Sequence, residues 1–78
     1  MLSFLESFTR IAVAEGATCK ITVNDMGFNF YAKNAVGYIS VSFDGAVFTI
    51  FDANGDVFDT RDASFVNSAI LGELTKTD

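Results

Sequence analysis

The chain has no histidine, no tryptophan, no proline and a single cysteine, Cys19. Without histidine it lacks the commonest general base and metal ligand. A lone cysteine cannot close an internal disulfide and has no imidazole to activate it as a nucleophile. That usage fits a reducing compartment, so a cytoplasmic location is expected. The absence of proline leaves strands free to pair along their whole length. Basic residues are also scarce: Lys and Arg total 5 against 10 Asp and Glu, for a net charge of −5. The cations Arg10, Lys20, Lys33, Arg61 and Lys76 are scattered rather than clustered. A phosphate-tracking surface needs them together, so direct nucleic-acid binding is not expected, whereas a basic partner is favoured. No apolar run approaches the roughly 20 residues that span a bilayer. Met1-Leu2-Ser3-Phe4 carries neither the basic region nor the long apolar region of a signal peptide.

What remains suits a small folded core. Half of the 78 residues are hydrophobic and nine are Phe, too apolar a composition for intrinsic disorder. One domain over residues 1–78 is expected, with no internal repeat, linker or low-complexity segment. Its size lies near the lower limit for a chain without a disulfide or metal.

The organising stretch is 38–60. Tyr38 to Phe43 and Ala46 to Phe51 are β-branched and aromatic runs joined by Asp44-Gly45, a strong hairpin signal. A two-residue loop at Asp44-Gly45 predicts Phe43 opposite Ala46, Val41 opposite Phe48 and Ile39 opposite Ile50. Further on, Asp52-Ala53-Asn54-Gly55-Asp56 accommodates a three-residue loop, Ala53-Asn54-Gly55, with Gly55 left-handed in a bulge. Ile50 then faces Phe58, and Phe51 faces Val57. A two-residue Asn54-Gly55 turn would instead bring Asp59 onto the buried face.

Upstream, Thr18 to Val23 and Phe28 to Lys33 alternate apolar with polar. A turn centred between Asp25 and Met26 pairs Val23 with Phe28, Ile21 with Phe30 and Cys19 with Ala32. The next turn, Asn34 to Gly37, sets Ala32 against Ile39. Every connection keeps one apolar face continuous, as a true meander requires.

At the N-terminus, Ser3 and Glu6 have capping-box spacing, and Phe4, Leu5, Phe8, Ile11 and Ala12 recur at helical period. Glu6 and Arg10 stand in the favourable i,i+4 order. A helix over about 4–15 ended by Gly16 is predicted. Asp62 or Ser64 should cap a second, shorter helix through Phe65, Val66, Ala69 and Ile70, closed by Gly72. A frayed tail is expected over 75–78. The expected fold is therefore α+β: α-β-β-β-β-β-α, a five-stranded antiparallel meander with one apolar face under the N-terminal helix, which the C-terminal helix either joins there or leaves for the second face. A barrel-like curl of the same meander is the structural alternative.

Chemistry-bearing patterns are few. Asp52-x-Asn54-x-Asp56 resembles the start of a calcium loop, but Gly55 comes too early and residue 63 is Ala where the loop wants Glu. Asp and Asn at these positions also suit turns on their own account. Paired carboxylates for glycoside chemistry would lack a substrate cleft in a chain this small. No Walker A or GxGxxG unit is present. No catalytic residue, metal or cofactor is therefore expected.

The second sheet face carries Tyr31, Tyr38, Val47, Phe51 and Val57 among its polar residues. Such a patch is either an interaction surface or a second core layer under the C-terminal helix. As an interface, Tyr31, Tyr38, Phe51 and Val57 would be the anchors, with Asp44, Asp52, Asp56 and Asp59 as acidic contacts for a basic partner. The expected function is a non-catalytic protein-binding module. By analogy of size, charge and composition, it suits phage-encoded anti-CRISPR or anti-restriction inhibitors that dock on nucleic-acid-handling enzymes. The alternative is a homodimer or larger assembly built through a sheet edge or the aromatic face.

Overall fold

A computed structural model describes residues 2–75. The order is α1 (Leu2–Ala14), β1 (Thr18–Val23), β2 (Phe28–Lys33), β3 (Tyr38–Phe43), β4 (Phe48–Asp52), β5 (Val57–Thr60) and α2 (Ala63–Leu74). The strands form one antiparallel sheet in sequence order, β1-β2-β3-β4-β5, and both helices lie on the same face of it, packed against each other. The fold is α+β, as the alternation requires. Residues 76–78, most of the expected tail, lie outside the described residues.

The core is the space between helices and sheet. Phe8, Ala12, Phe28, Phe30, Ala32, Ile39, Val41, Val66 and Ile70 are fully buried there. Phe8 is the hub: its ring meets those of Phe4, Phe28, Phe30 and Phe48, with centroids 5.8–6.5 Å away. Phe43 and Phe48 stack at 4.5 Å beneath α1. These separations suit favourable ring pairs.

Three of the four predicted registers are observed, with Val23 opposite Phe28, Ala32 opposite Ile39 and Ile50 opposite Phe58. The β3–β4 register is not. Phe43 faces Phe48, Val41 faces Ile50 and Ile39 faces Asp52, so the turn is centred one residue later than Asp44-Gly45. A type I′ turn there needs positive φ at both residues, but only Gly45 has it, at 101°. Asp44 instead accepts hydrogen bonds on its carboxylate from the Ala46 and Val47 amides, at 2.9 and 2.8 Å. That side-chain bracket fixes the longer connection. Gly55, at φ 87°, occupies the left-handed position of the β4–β5 loop as expected.

The helix ends differ from expectation in two places, the start of α1 and the end of α2. α1 begins at Leu2, so Ser3 stands inside the helix and the Ser3–Glu6 capping box does not form. At the other end, Gly16 (φ 74°) closes a Schellman motif: Ala17 N–H donates to the Ala12 carbonyl and Gly16 N–H to that of Val13. α2 is capped by Asp62, whose carboxylate accepts from the Ser64 amide at 2.9 Å. It runs through Gly72 and stops at Thr75, whose hydroxyl donates to the Leu71 carbonyl. Gly72 therefore does not end it. Its inward stripe is Val66, Ile70, Glu73 and Leu74, and Phe65 is turned to solvent.

Candidate protein-binding face

Two structural devices hold the sheet open on one side. The first is Asn34, in the β2–β3 turn. Its amide nitrogen donates to the Glu15 carbonyl at 2.8 Å and to the Leu74 carbonyl at 2.9 Å, tying the C-terminal ends of both helices to one turn. Its oxygen accepts from the Val36 and Gly37 amides. The second is Glu73, buried on α2, whose Oε1 accepts from the Ala53 amide at 3.1 Å and anchors the β4–β5 loop to the helical side. With Ser7 Oγ donating to Asn67 Oδ1 between the helices, α1 and α2 share one face. The helix–sheet–helix sandwich is thereby excluded, and among the described residues no second core layer covers the other face.

That bare face follows from the pleat. A row runs across it from Lys20 through Tyr31, Ser40 and Phe51 to Val57, each directly opposite the next. Tyr38 lies one step along β3 from Ser40, with its ring 6.2 Å from that of Tyr31. Tyr38, Phe51 and Val57 are 42, 43 and 56% exposed, while Tyr31 is half-buried. The four anchors named from the sequence thus share the open face, as a Tyr31–Tyr38 ring pair and a Phe51–Val57 cross-strand pair with Ser40 between Tyr31 and Phe51.

The four carboxylates divide. Asp59 projects from β5 on the open face, opposite Thr49. Asp52 and Asp56 flank the β4–β5 loop as the next pair after Phe51 and Val57, so the pleat turns them towards the helical side, where Asp52 lines a groove with Ile39, Ile50 and Phe58. Asp44 lies in the β3–β4 turn, at the far end of β4, away from the patch. Asp52 is also committed to structure, accepting from the Asn54 and Asp56 amides at 2.9 Å. Backbone amides of Val47 and Ala46 hold the exposed Asp44 carboxyl below its ordinary value of 3.8. Asp59, exposed on the open face, is therefore the carboxylate best placed to meet a partner, with the exposed Asp56 at the rim.

Sequence reasoning missed the clamp at Asn34 and the role of Glu73. The signal for the first was present: Asn24, Asn34 and Asp44 stand ten residues apart, and each brackets the amides two and three residues on. The bracketing pattern recurs although the sequence between does not repeat. Among the described residues no group of His, Cys, Asp and Glu is placed to hold a metal ion, and no helix is long and apolar enough to cross a membrane. Cys19 is half-buried on the helical side, and burial raises its thiol pKa. That favours the protonated, weakly nucleophilic form.

No family model, curated protein or solved structure matches the chain.

Proposed function

We propose that the protein is a small acidic, non-catalytic binding module that docks the open face of its sheet on a larger protein with a basic surface. The observation that carries this is the uncovered patch of Tyr31, Tyr38, Phe51 and Val57, with both helices held on the opposite side. Aromatic residues of this kind supply most of the binding energy in protein interfaces. Asp59 shares the face of the patch and Asp56 is exposed at its rim, and a net charge of −5 favours a cationic target. By analogy of size and charge, the target is a nucleic-acid-handling enzyme, with the protein acting as a phage-type inhibitor of the anti-CRISPR or anti-restriction kind.

The test is co-purification from bacterial lysate at low salt with mass-spectrometric identification, using wild type, Phe51→Ala and Asp56→Lys/Asp59→Lys. Wild type should retain a protein of basic surface that is released by salt. Both variants should lose it while keeping the native circular dichroism spectrum. Retention unchanged in both variants, or no salt-sensitive partner at all, would overturn the reading.

A further inference from the structure

The two free edges of the sheet are unlike. Asp52 N–H donates to the Asp56 carbonyl, so alternation along the β4–β5 ladder turns the backbone groups of Val57 and Asp59 outward. That edge is four residues long and carries a charge among its outward positions, features that discourage strand addition. At the other edge, Asn24 N–H donates to the Gly27 carbonyl. Thr22, Lys20 and Thr18 therefore bond to β2, and the N–H and C=O groups of Cys19, Ile21 and Val23 point away from the sheet.

The side chains of these three residues lie on the helical side: Cys19 packs partly against the core, and Ile21 and Val23 reach beyond the cover of α1. Ile21 is 42% and Val23 56% exposed. Beside them an open groove of about 530 Å³ separates α1 from β1, lined by Leu5, Glu6, Thr9, Arg10, Val13 and Ile21. A six-residue edge with no proline, one charge and apolar side chains along one face is a template for another strand.

We propose that this edge takes a second copy of the chain: two β1 strands pair antiparallel about a two-fold axis through Ile21, joining the sheets into one. Three constraints select that register. Only an even sum of residue numbers brings the outward backbone groups of both copies together with the helical faces on the same side. Centring on Ile21 pairs it with its own copy and sets Cys19 opposite Val23 of the second copy, so every outward N–H and C=O of the three residues finds a partner. Sliding one step towards Cys19 places Lys20 against Lys20. Sliding the other way leaves Cys19 unpaired.

Centred on Ile21, Lys20 faces Thr22 instead. The same axis sets the two α1 helices side by side and antiparallel, merging the grooves over the paired Ile21 side chains. Glu6 and Arg10, on the groove wall of each copy, then face the opposite charge of the other. A self-complementary pattern of this kind is what a two-fold interface demands.

The experiment uses the full chain in sedimentation equilibrium over ~5–200 µM. At the upper end the mass should be twice the chain mass of 8.4 kDa. Ile21→Pro removes an outward-facing donor without breaking the β1–β2 ladder, and should raise the dimer dissociation constant at least about tenfold. Ile21→Lys places like charges on the axis at an exposed position and should do the same, which guards against misfolding of the proline variant.

Register is read by Val23→Cys under oxidised glutathione. Each bridge between Cys19 of one copy and the thiol introduced at position 23 of the other passes two electrons and two protons to one glutathione disulfide, releasing two glutathione thiols. Hydrogen-bonded antiparallel pairs have Cα atoms about 5.5 Å apart, within disulfide reach, so a covalent dimer is expected. Wild type, whose cysteines are out of register, should give none. A single-chain mass throughout the range, or dimers of Val23→Cys that never cross-link, would overturn the proposal. Phe51→Ala should leave the dimer mass unchanged, so loss of docking and loss of pairing are read separately.

Discussion

Each turn in the sheet is governed by one side chain. Asn24, Asn34, Asp44 and Asp52 each turn an oxygen back onto amides a few residues ahead, doing locally what a ladder would otherwise do. At Asp44, and at the α2 cap Asp62, such bonds couple folding to pH. The Ser64 hydroxyl and amide hold the Asp62 carboxyl below 3.8, as the Val47 and Ala46 amides do for Asp44. With a depressed pKa in the folded state, each carboxylate stabilises the fold above its ordinary value. That contribution is lost as pH falls through and below 3.8, because the unfolded chain takes up the proton first. Urea midpoints should therefore fall between about pH 6 and pH 3. In Asp44→Asn/Asp62→Asn the fall should be shallower, since Asn keeps an acceptor but does not titrate.

At the scale of the element, Asn34 joins pieces that are far apart in the chain. Asn34→Asp would keep the acceptor towards Val36 and Gly37 but set a carboxylate against the Glu15 and Leu74 carbonyls. A loss of about 2–4 kcal/mol is expected, since two bonds vanish and the group left behind is repelled. Chemical denaturation checks it, with Asn34→Ala expected to be milder. The strands themselves were legible from alternation, because a slip of one residue exposes a whole apolar face. The β3–β4 register was not, for the same reason in reverse. A shift of two in the pairing sum preserves the faces, so Val41 and Phe48 stay inward whichever turn forms. The choice falls to hydrogen bonds on Asp44 that hydropathy does not register. Helix ends failed similarly: Gly72 has the right residue type for a stop, yet Leu74 is still buried beyond it, and packing extends the helix. The candidate face was legible as a pattern. Whether α2 would cover it depended on Asn34 and Glu73, whose reach across the fold no local pattern encodes.

For the whole molecule, the helices cover the middle of the sheet and leave both margins thin. Ile21 and Val23 on β1, and Phe58 on β5, point to the helical side yet remain at least 42% exposed. Stability is therefore concentrated in the central rings. Phe8→Ala should cost about 3–5 kcal/mol, enough to unfold most of a domain this small at room temperature. Thermal melting and loss of near-ultraviolet dichroism would report it. A truncation at the exposed Phe65 should leave the melting temperature nearly unchanged by comparison.

The strand order has a kinetic consequence. Because each strand lies beside its sequence neighbour, the sheet assembles through short closures of low entropic cost. The packing of the helices is what joins distant parts of the chain, as in the Ser7–Asn67 contact across 60 residues and the Asn34–Leu74 contact across 40. Contact order is kept low by the meander and raised by the contacts of the helices with each other and with the sheet. The hairpins are therefore expected to form before the helices pack, an order that high φ-values in the turns and low ones at the α1–α2 contact would show.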